Sequence, residues 1–441
     1  MVRSWIPVGL LFALTAFPAS AEERAKQAGA DPAFCVAAPH DQPCSTMPLD
    51  QTEFSKFFVY STVEKVAQDP FDRFSWQMFI ALNWPADRSG GPLPGPLDAG
   101  DPDTPRVWEY FTTKQALMGS APFPCAGADL VLEQFHQSDG SVLVDQSGNF
   151  VLYETRANAV AQSYVTAQGL SSAAGQHLFW DRGNSISFPR QGVPSILVKT
   201  AWRPILSPQD GARYLTRRAA IRVRAEDSAT DTDLCLPLTV GLVGMHIVSR
   251  TESGNGDEWL WSTFEQVDNV PAAGNARDIN SLYSDDLFPG GCAAPAAAVS
   301  GSYAFFDPDC PDCRVNLPPE GLWRWADRPP FARRDGVAMK HPPQIVRCWK
   351  IFDSTAAMND VWRAKLSGSV WANYQLISTQ WRGGPITPIF EHGEVPRYLS
   401  NTTLETYIQT AKEGSCMGCH AGAATAAGQP ANFTFLLRDA R

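Results

Sequence analysis

The chain has 441 residues and a formal net charge of −10, with 36 Lys and Arg set against 46 Asp and Glu. Apolar residues at 44% and charged residues at 19% suffice for a large core and exclude wholesale disorder. The acidic balance argues against a nucleic-acid partner, because it repels a phosphate backbone. Ten cysteines are too few for a disulfide-dense miniprotein and more than a typical cytosolic chain keeps.

Arg3, the apolar run over residues 6–17 and Ala19-Ser20-Ala21 have the layout of a secretory signal peptide, 1–21, cleaved before Glu22. Its apolar core is short for a span of about 20 residues, and no later stretch is apolar enough to cross a membrane. The expectation is an exported, periplasmic protein with no membrane span in the mature chain. Residues 22–65 read as an irregular segment, in which Cys35 and Cys44 are placed for a local disulfide.

Residues 66–400 read as a β-rich body. Asp69-Pro70 starts a helix with Phe74, Met78, Ala81 and Leu82 on one face, and Trp84-Pro85 stops it. Short β-branched runs follow at 150–153, 195–199, 219–223 and 238–248. The last continues through Ser253-Gly254-Asn255-Gly256-Asp257 into 258–264, the clearest hairpin in the chain. Ser354 can cap a helix carrying Met358, Val361, Trp362 and Leu366, ended by Gly368; residues 374–381 read as a strand. Thr402 and Glu405 match a capping box for a helix to about 413. The predicted fold class is α+β, a mainly antiparallel β core with peripheral helices. A short helical C-terminal segment, 401–441, completes it.

That segment holds Cys416-Met417-Gly418-Cys419-His420, a C-x-x-C-H sequence and the signal for covalent attachment of one haem c. Two residues between the thiols let them span the two porphyrin vinyl groups and form thioethers. The adjacent His420 then reaches the iron as axial metal ligand. Plainer alternatives are a Cys416–Cys419 disulfide, or a zinc set, which lacks a second pair at suitable spacing. Only 21 residues follow His420, and they contain no Met, His or Lys, so any sixth ligand comes from upstream or from solvent.

The segment resembles the haem-binding segment of cytochromes c over about the last 40 residues. It departs from the small cytochrome c domain, where the motif lies near the start and a Met ligand follows far downstream. Phe74-Ser75-Trp76-Gln77, Phe264-Glu265-Gln266-Val267-Asp268-Asn269 and Asn401-Thr402-Thr403 look like signatures of a bacterial periplasmic cytochrome c-like family with a C-terminal monohaem segment. The resemblance implies haem chemistry and no particular substrate.

His246 is the first candidate for the other side of the iron. Alternation puts Leu242, Gly244, His246 and Val248 on one strand face, with a gap at Gly244 where a flat ring could lie. Pairing Thr251 with Glu258 brings Trp261 and Thr263 beside His246. The plainer reading is a half-buried histidine satisfied within the sheet. His392 and, more remotely, Met339, His341, His136 and His177 are further candidates; Met245 points to the opposite face. Arg73 and Gln77 could meet haem propionates or form a structural pair. Glu265 and Asp268 read as turn and loop caps rather than an acid/base pair. Cys310-Pro311-Asp312-Cys313 reads as a structural disulfide, and the eight cysteines outside the haem motif allow up to four bridges.

The expected function is one-electron transfer with a periplasmic redox partner protein or a small-molecule electron donor or acceptor. Alternatives are a peroxidase- or oxygenase-type haem enzyme with an open iron site and a substrate pocket lined by Trp259, Trp261, Trp371 and Trp381, or a haem-based sensor.

Overall fold

The computed structural model describes residues 43–48, 64–98, 103–119, 125, 130–251, 259–279, 287–296, 299, 301–310, 313–382, 394–411 and 414–441. Its framework is a nine-stranded sheet: β1 (Thr112–Thr113), β2 (Leu130–Leu132), β3 (Leu152–Ala157), β4 (Ile196–Pro204), β5 (Thr216–Val223), β6 (Leu234–Arg250), β7 (Trp259–Gln266), β8 (Tyr374–Arg382) and β9 (Glu394–Val395). The order is β1-β3-β4-β6-β7-β8-β9, with β5 paired to β6 and β2 paired to β5. Only the β2–β5 pair is parallel within this sheet. The chain is α+β with a mainly antiparallel β core and peripheral helices, as its strand pattern predicts.

The sheet is covered on both faces, so β6 and β7 are buried along most of their length. On one face, helices α1 (Glu64–Leu82) and α4 (Asp353–Lys365) pack over Met245, Ile247, Leu260 and Phe264. Phe79 stacks on Phe264 at 4.2 Å, and Trp76 on Trp362 at 5.7 Å. On the other face, α2 (Ala159–Ala167), α3 (Ala173–Asp181) and the C-terminal residues Met417, Leu436, Leu437 and Ala440 close over Leu197, Val248, Trp259 and Trp261. Asn158 and Ser172 cap α2 and α3 by accepting the Ala161 and Gly175 amides.

The β6–β7 register is the predicted one: His246 pairs with Thr263 and Val248 with Trp261. The turn itself, 252–258, lies outside the described residues, as do the signal-like segment and Cys35. One register break was not foreseen. Opposite Ala201 and Trp202, β6 bulges at Val243, so Leu242 joins Met245 on the α1 face instead of sharing the face of Gly244 and His246.

Three helix expectations are corrected. Helix α1 begins at Glu64 and carries Pro70 inside it, not at its start. Its residues Phe71, Phe74, Trp76, Met78, Phe79, Ile80 and Leu82 are all buried, so packing offsets the amide hydrogen bond that proline lacks. Phe352, not Ser354, is the N-cap of α4, and Val361 is 49% exposed, off the apolar stripe. Residues 402–411 form successive turns rather than a helix. Their capping side chains are drawn to the sheet: Thr402 donates its amide and hydroxyl to Glu265, and Glu405 engages His246.

Cys125–Cys235, Cys292–Cys348 and Cys310–Cys313 are bridged. Among the described residues no helix is long and apolar enough to cross a membrane.

Candidate functional site

The C-x-x-C-H sequence folds into a short helix, α5 (Cys416–His420). Ser415 is its N-cap, its hydroxyl accepting the Gly418 amide at 3.2 Å. Gln380 of β8 holds this turn at two points: its side-chain amide donates to Ser415 Oγ at 3.0 Å, and its carbonyl accepts the Met417 amide at 2.8 Å. Met417 is buried against the sheet, while Cys416, Cys419 and His420 are half-buried. The two thiols are unbridged, unlike Cys310 and Cys313 at the same spacing. The Cys416 thiol donates to the Leu399 carbonyl at 3.5 Å. Burial, with Glu405 and Cys419 nearby, pushes its pKa well above the usual thiol range.

His420 is held from behind. Its Nδ1 donates to the Phe433 carbonyl at 2.9 Å, which fixes the tautomer and leaves Nε2 with its lone pair. Its ring lies 4.3 Å from Trp261 and 5.0 Å from Phe435, centroid to centroid. Burial pushes the imidazole pKa down to about 4, against the opposing pull of the Phe433 bond. A neutral His with one nitrogen tied to a carbonyl is the form that binds a metal. Together, Cys416, Cys419 and His420 could hold a covalently anchored, metal-centred cofactor.

His246 lies on the same sheet face as Trp261, beneath the C-terminal segment. Its Nε2 sits 2.9 and 3.1 Å from the two Glu405 carboxylate oxygens. Lys199 of β4 is its cross-strand neighbour. Burial works to raise the Glu405 pKa, but His246, Lys199 and the Asn401 amide together hold it below the usual carboxylate range. His246 and Lys199 also contribute to the field that depresses the His420 pKa, so these groups share one electrostatic neighbourhood.

Several sequence expectations are redistributed. Gly244 leaves no open slot beside His246: a Cβ there would meet Thr403 Oγ1 at 2.2 Å and Asn401 Oδ1 at 3.0 Å. Arg73 and Gln77 belong to α1, which covers the opposite sheet face. Trp371 and Trp381 are also in that opposite core, so they form no pocket with Trp259 and Trp261. Glu265 is fully buried and paired with Arg347 at 2.5 Å, whereas Asp268 pairs with Arg213 at 2.5 Å; they are separate ion pairs. Met245 is in the core on the far face, as expected. His392 lies outside the described residues. Met339 and His341 line a cavity whose walls include none of the residues around His420.

Sequence reasoning missed Gln380, Phe433 and Phe435. Asn432 and Phe433 both adopt left-handed backbone, φ 51° and 61°, and this turn brings the Phe433 carbonyl to His420. Asn432 also accepts at its carbonyl from Trp259 Nε1 at 2.9 Å. The only local signal was the asparagine, a residue tolerant of that conformation. No protein-family model matches the chain, and neither a curated protein nor a solved structure does.

Proposed function

We propose that the protein is an exported c-type haem protein, periplasmic in location, that transfers single electrons. The observation that carries this reading is the C-x-x-C-H turn with two unbridged thiols and a His420 whose Nδ1 is tied to Phe433. The donor set fits one haem c. Cys416 and Cys419 would anchor it as thioethers, and His420 Nε2 would be the protein ligand to iron. The haem supplies a one-electron couple at iron, tuned by axial ligation, burial and hydrogen bonding. Phe433 orients the ligand ring, while Trp261 and Phe435 pack against it at tilted angles. His246 is proposed for the other side of the cofactor, with Glu405 orienting its ring as carboxylates orient metal-ligating histidines. The partner would be a periplasmic redox protein or a small-molecule electron donor or acceptor.

A second reading, a haem-dependent oxidoreductase with an open iron site, is favoured by the same His246–Glu405 pair. An imidazole held by a carboxylate can also shuttle a proton.

The test is expression in the periplasm with the haem-attachment machinery, followed by a haem stain after denaturing electrophoresis. The wild-type chain is expected to stain, and the Cys416→Ala, Cys419→Ala double variant to lose the stain. A wild-type chain without covalent haem sinks the proposal. The visible spectrum of the reduced protein with and without carbon monoxide separates the two readings: no shift favours electron transfer, and a shift favours the open site.

A further inference from the structure

We propose that Cys310–Cys313 is a redox-active disulfide that exchanges with a dithiol segment of a partner polypeptide, with His341 as its proton donor and acceptor. The proposal is independent of the haem reading.

The three side chains converge from two loops: both sulfurs and a His341 ring nitrogen lie within 4.8 Å of one another. The cysteines are half-buried and His341 is exposed. The bridge differs in kind from its neighbours. Cys125–Cys235 and Cys292–Cys348 span 110 and 56 residues, so each removes substantial freedom from the unfolded chain. Cys310–Cys313 spans three, and a loop that short contributes little as a staple. The turn has its own backbone bonds, from Cys313 N to Cys310 O at 3.1 Å and from Cys310 N to Asp307 O at 3.2 Å. Opening the bridge therefore leaves the two thiols side by side.

The surroundings suit both thiolate and partner. Cys313 lines two cavities, of 590 and 330 Å³, and so is the sulfur open to attack. The charged groups around the larger cavity are Arg314, Glu320, Arg334, Asp335 and Lys340. Arg314 adjoins Cys313 and Lys340 adjoins His341, while Asp307 and Asp309 precede Cys310 and Asp312 precedes Cys313, so the bridge is partly exposed among charges of both signs, with His341 the group beside it that can relay a proton. The rim is apolar: Leu317 and Val337 line the cavity at 40% and 67% exposure, and Leu322, beside the lining residue Trp323, is 65% exposed. Such a rim suits a polypeptide carrying the thiols better than a small polar thiol.

The exchange balances. A partner thiolate attacks Cys313 Sγ, forming a mixed disulfide, and the Cys310–Cys313 bond breaks with its electron pair on Cys310. The proton that the partner's first thiol gave to His341 passes to Cys310. The partner's second thiol then gives its proton to His341 and attacks the partner sulfur of the mixed disulfide, releasing Cys313 as a thiolate that takes this second proton from His341. The partner dithiol is oxidised by two electrons to a disulfide, and the bridge is reduced to two thiols.

The test follows Cys310–Cys313, Cys125–Cys235 and Cys292–Cys348 in the full-length protein by alkylation and peptide mapping, in buffers of graded dithiothreitol and oxidised dithiothreitol. Cys310–Cys313 is expected to open at a roughly tenfold or more lower ratio of dithiol to disulfide than the other two. His341→Ala is expected to slow its opening roughly tenfold and to flatten the rate–pH profile near neutrality. Opening no earlier than the other bridges overturns the proposal, and so does an unchanged His341→Ala profile. A reduced protein that binds Zn²⁺ at Cys310, Cys313 and His341 and then resists reoxidation also overturns it, in favour of a metal site.

Discussion

One backbone carbonyl, that of Phe433, decides which nitrogen of His420 is left for chemistry, and one carboxylate, Glu405, holds the ring of His246. If His246 faces the cofactor, His246→Ala leaves covalent haem attachment intact while a carbon monoxide shift appears or grows in the reduced spectrum. An unaltered spectrum removes His246 from the site. Asp72 tests the core on the other sheet face. It is fully buried, and burial raises its pKa to about 6 even though it accepts from Gln68, Thr355 and Thr379. Its folded pKa exceeds the ordinary aspartate value of 3.8, so the folded state holds a proton that the unfolded state has lost between these limits. This stabilisation is complete below about pH 4 and is lost as pH rises through about 6, an effect of about 3 kcal/mol. Burial also raises Asp145 and Glu154, with the same sign. His420, pushed down to about 4, and Glu405, held low, act with the opposite sign, so the test is a difference: between pH 4.5 and 7.5 the wild-type urea midpoint should fall relative to that of Asp72→Asn. An equal change in the two proteins would clear Asp72 of that role.

Strand β6 pairs with β4, β5 and β7 and so ties the centre of the sheet together. Its alternation and the Gly-rich turn after it make the hairpin and the His246–Thr263 register legible, because a one-residue slip would carry every side chain to the opposite sheet face. The bulge at Val243 was not legible, since it answers to the register of β4, a partner distant in sequence. For the same reason the turns of 402–411 were read as a helix. Thr402 and Glu405 have capping chemistry, but their partners are Glu265 and His246, set by the tertiary fold. The C-x-x-C-H motif is legible because its chemistry is local; the Phe433 support is not, because it lies thirteen positions beyond His420 along irregular chain. Gly244 joins these observations. It lets Asn401 and Thr403 lie against β6, where Asn401 donates to Thr263 Oγ1 and to the Phe264 carbonyl at 2.9 Å. Gly244→Ala is expected to destabilise by about 1–3 kcal/mol, as overpacking of a filled core does. Denaturant unfolding checks this, and a neutral variant would mean that Thr403 can move aside.

Across the whole molecule, the C-terminal segment is interior structure that happens to lie at the end of the chain. It enters through Thr402, which bonds the buried Glu265–Arg347 pair, and leaves along α3, where Gln176 donates to the Leu437 carbonyl at 3.0 Å. Ala173 N donates to the Arg441 carbonyl at 3.0 Å, tying even the last residue to that helix. Between these points it supplies Met417, Leu436, Leu437 and Ala440 to the core over Val248, Trp259 and Trp261. The motif and one whole face of the sheet are thus stabilised together, so under the proposed haem reading cofactor retention and folding should fail together. Leu437 is fully buried, and Leu437→Ala is expected to cost about 2–5 kcal/mol through lost burial and the cavity left behind. Ending the chain after Ala423 removes Leu436, Leu437 and Ala440 from the core, and the Phe433 acceptor, while keeping Met417 and C-x-x-C-H intact. The truncated chain is expected to lose cooperative thermal unfolding by circular dichroism and most of its haem stain. Wild-type melting with full loading would show that residues 416–420 suffice alone, and that the tail only covers a site whose geometry is set by Gln380 and Ser415.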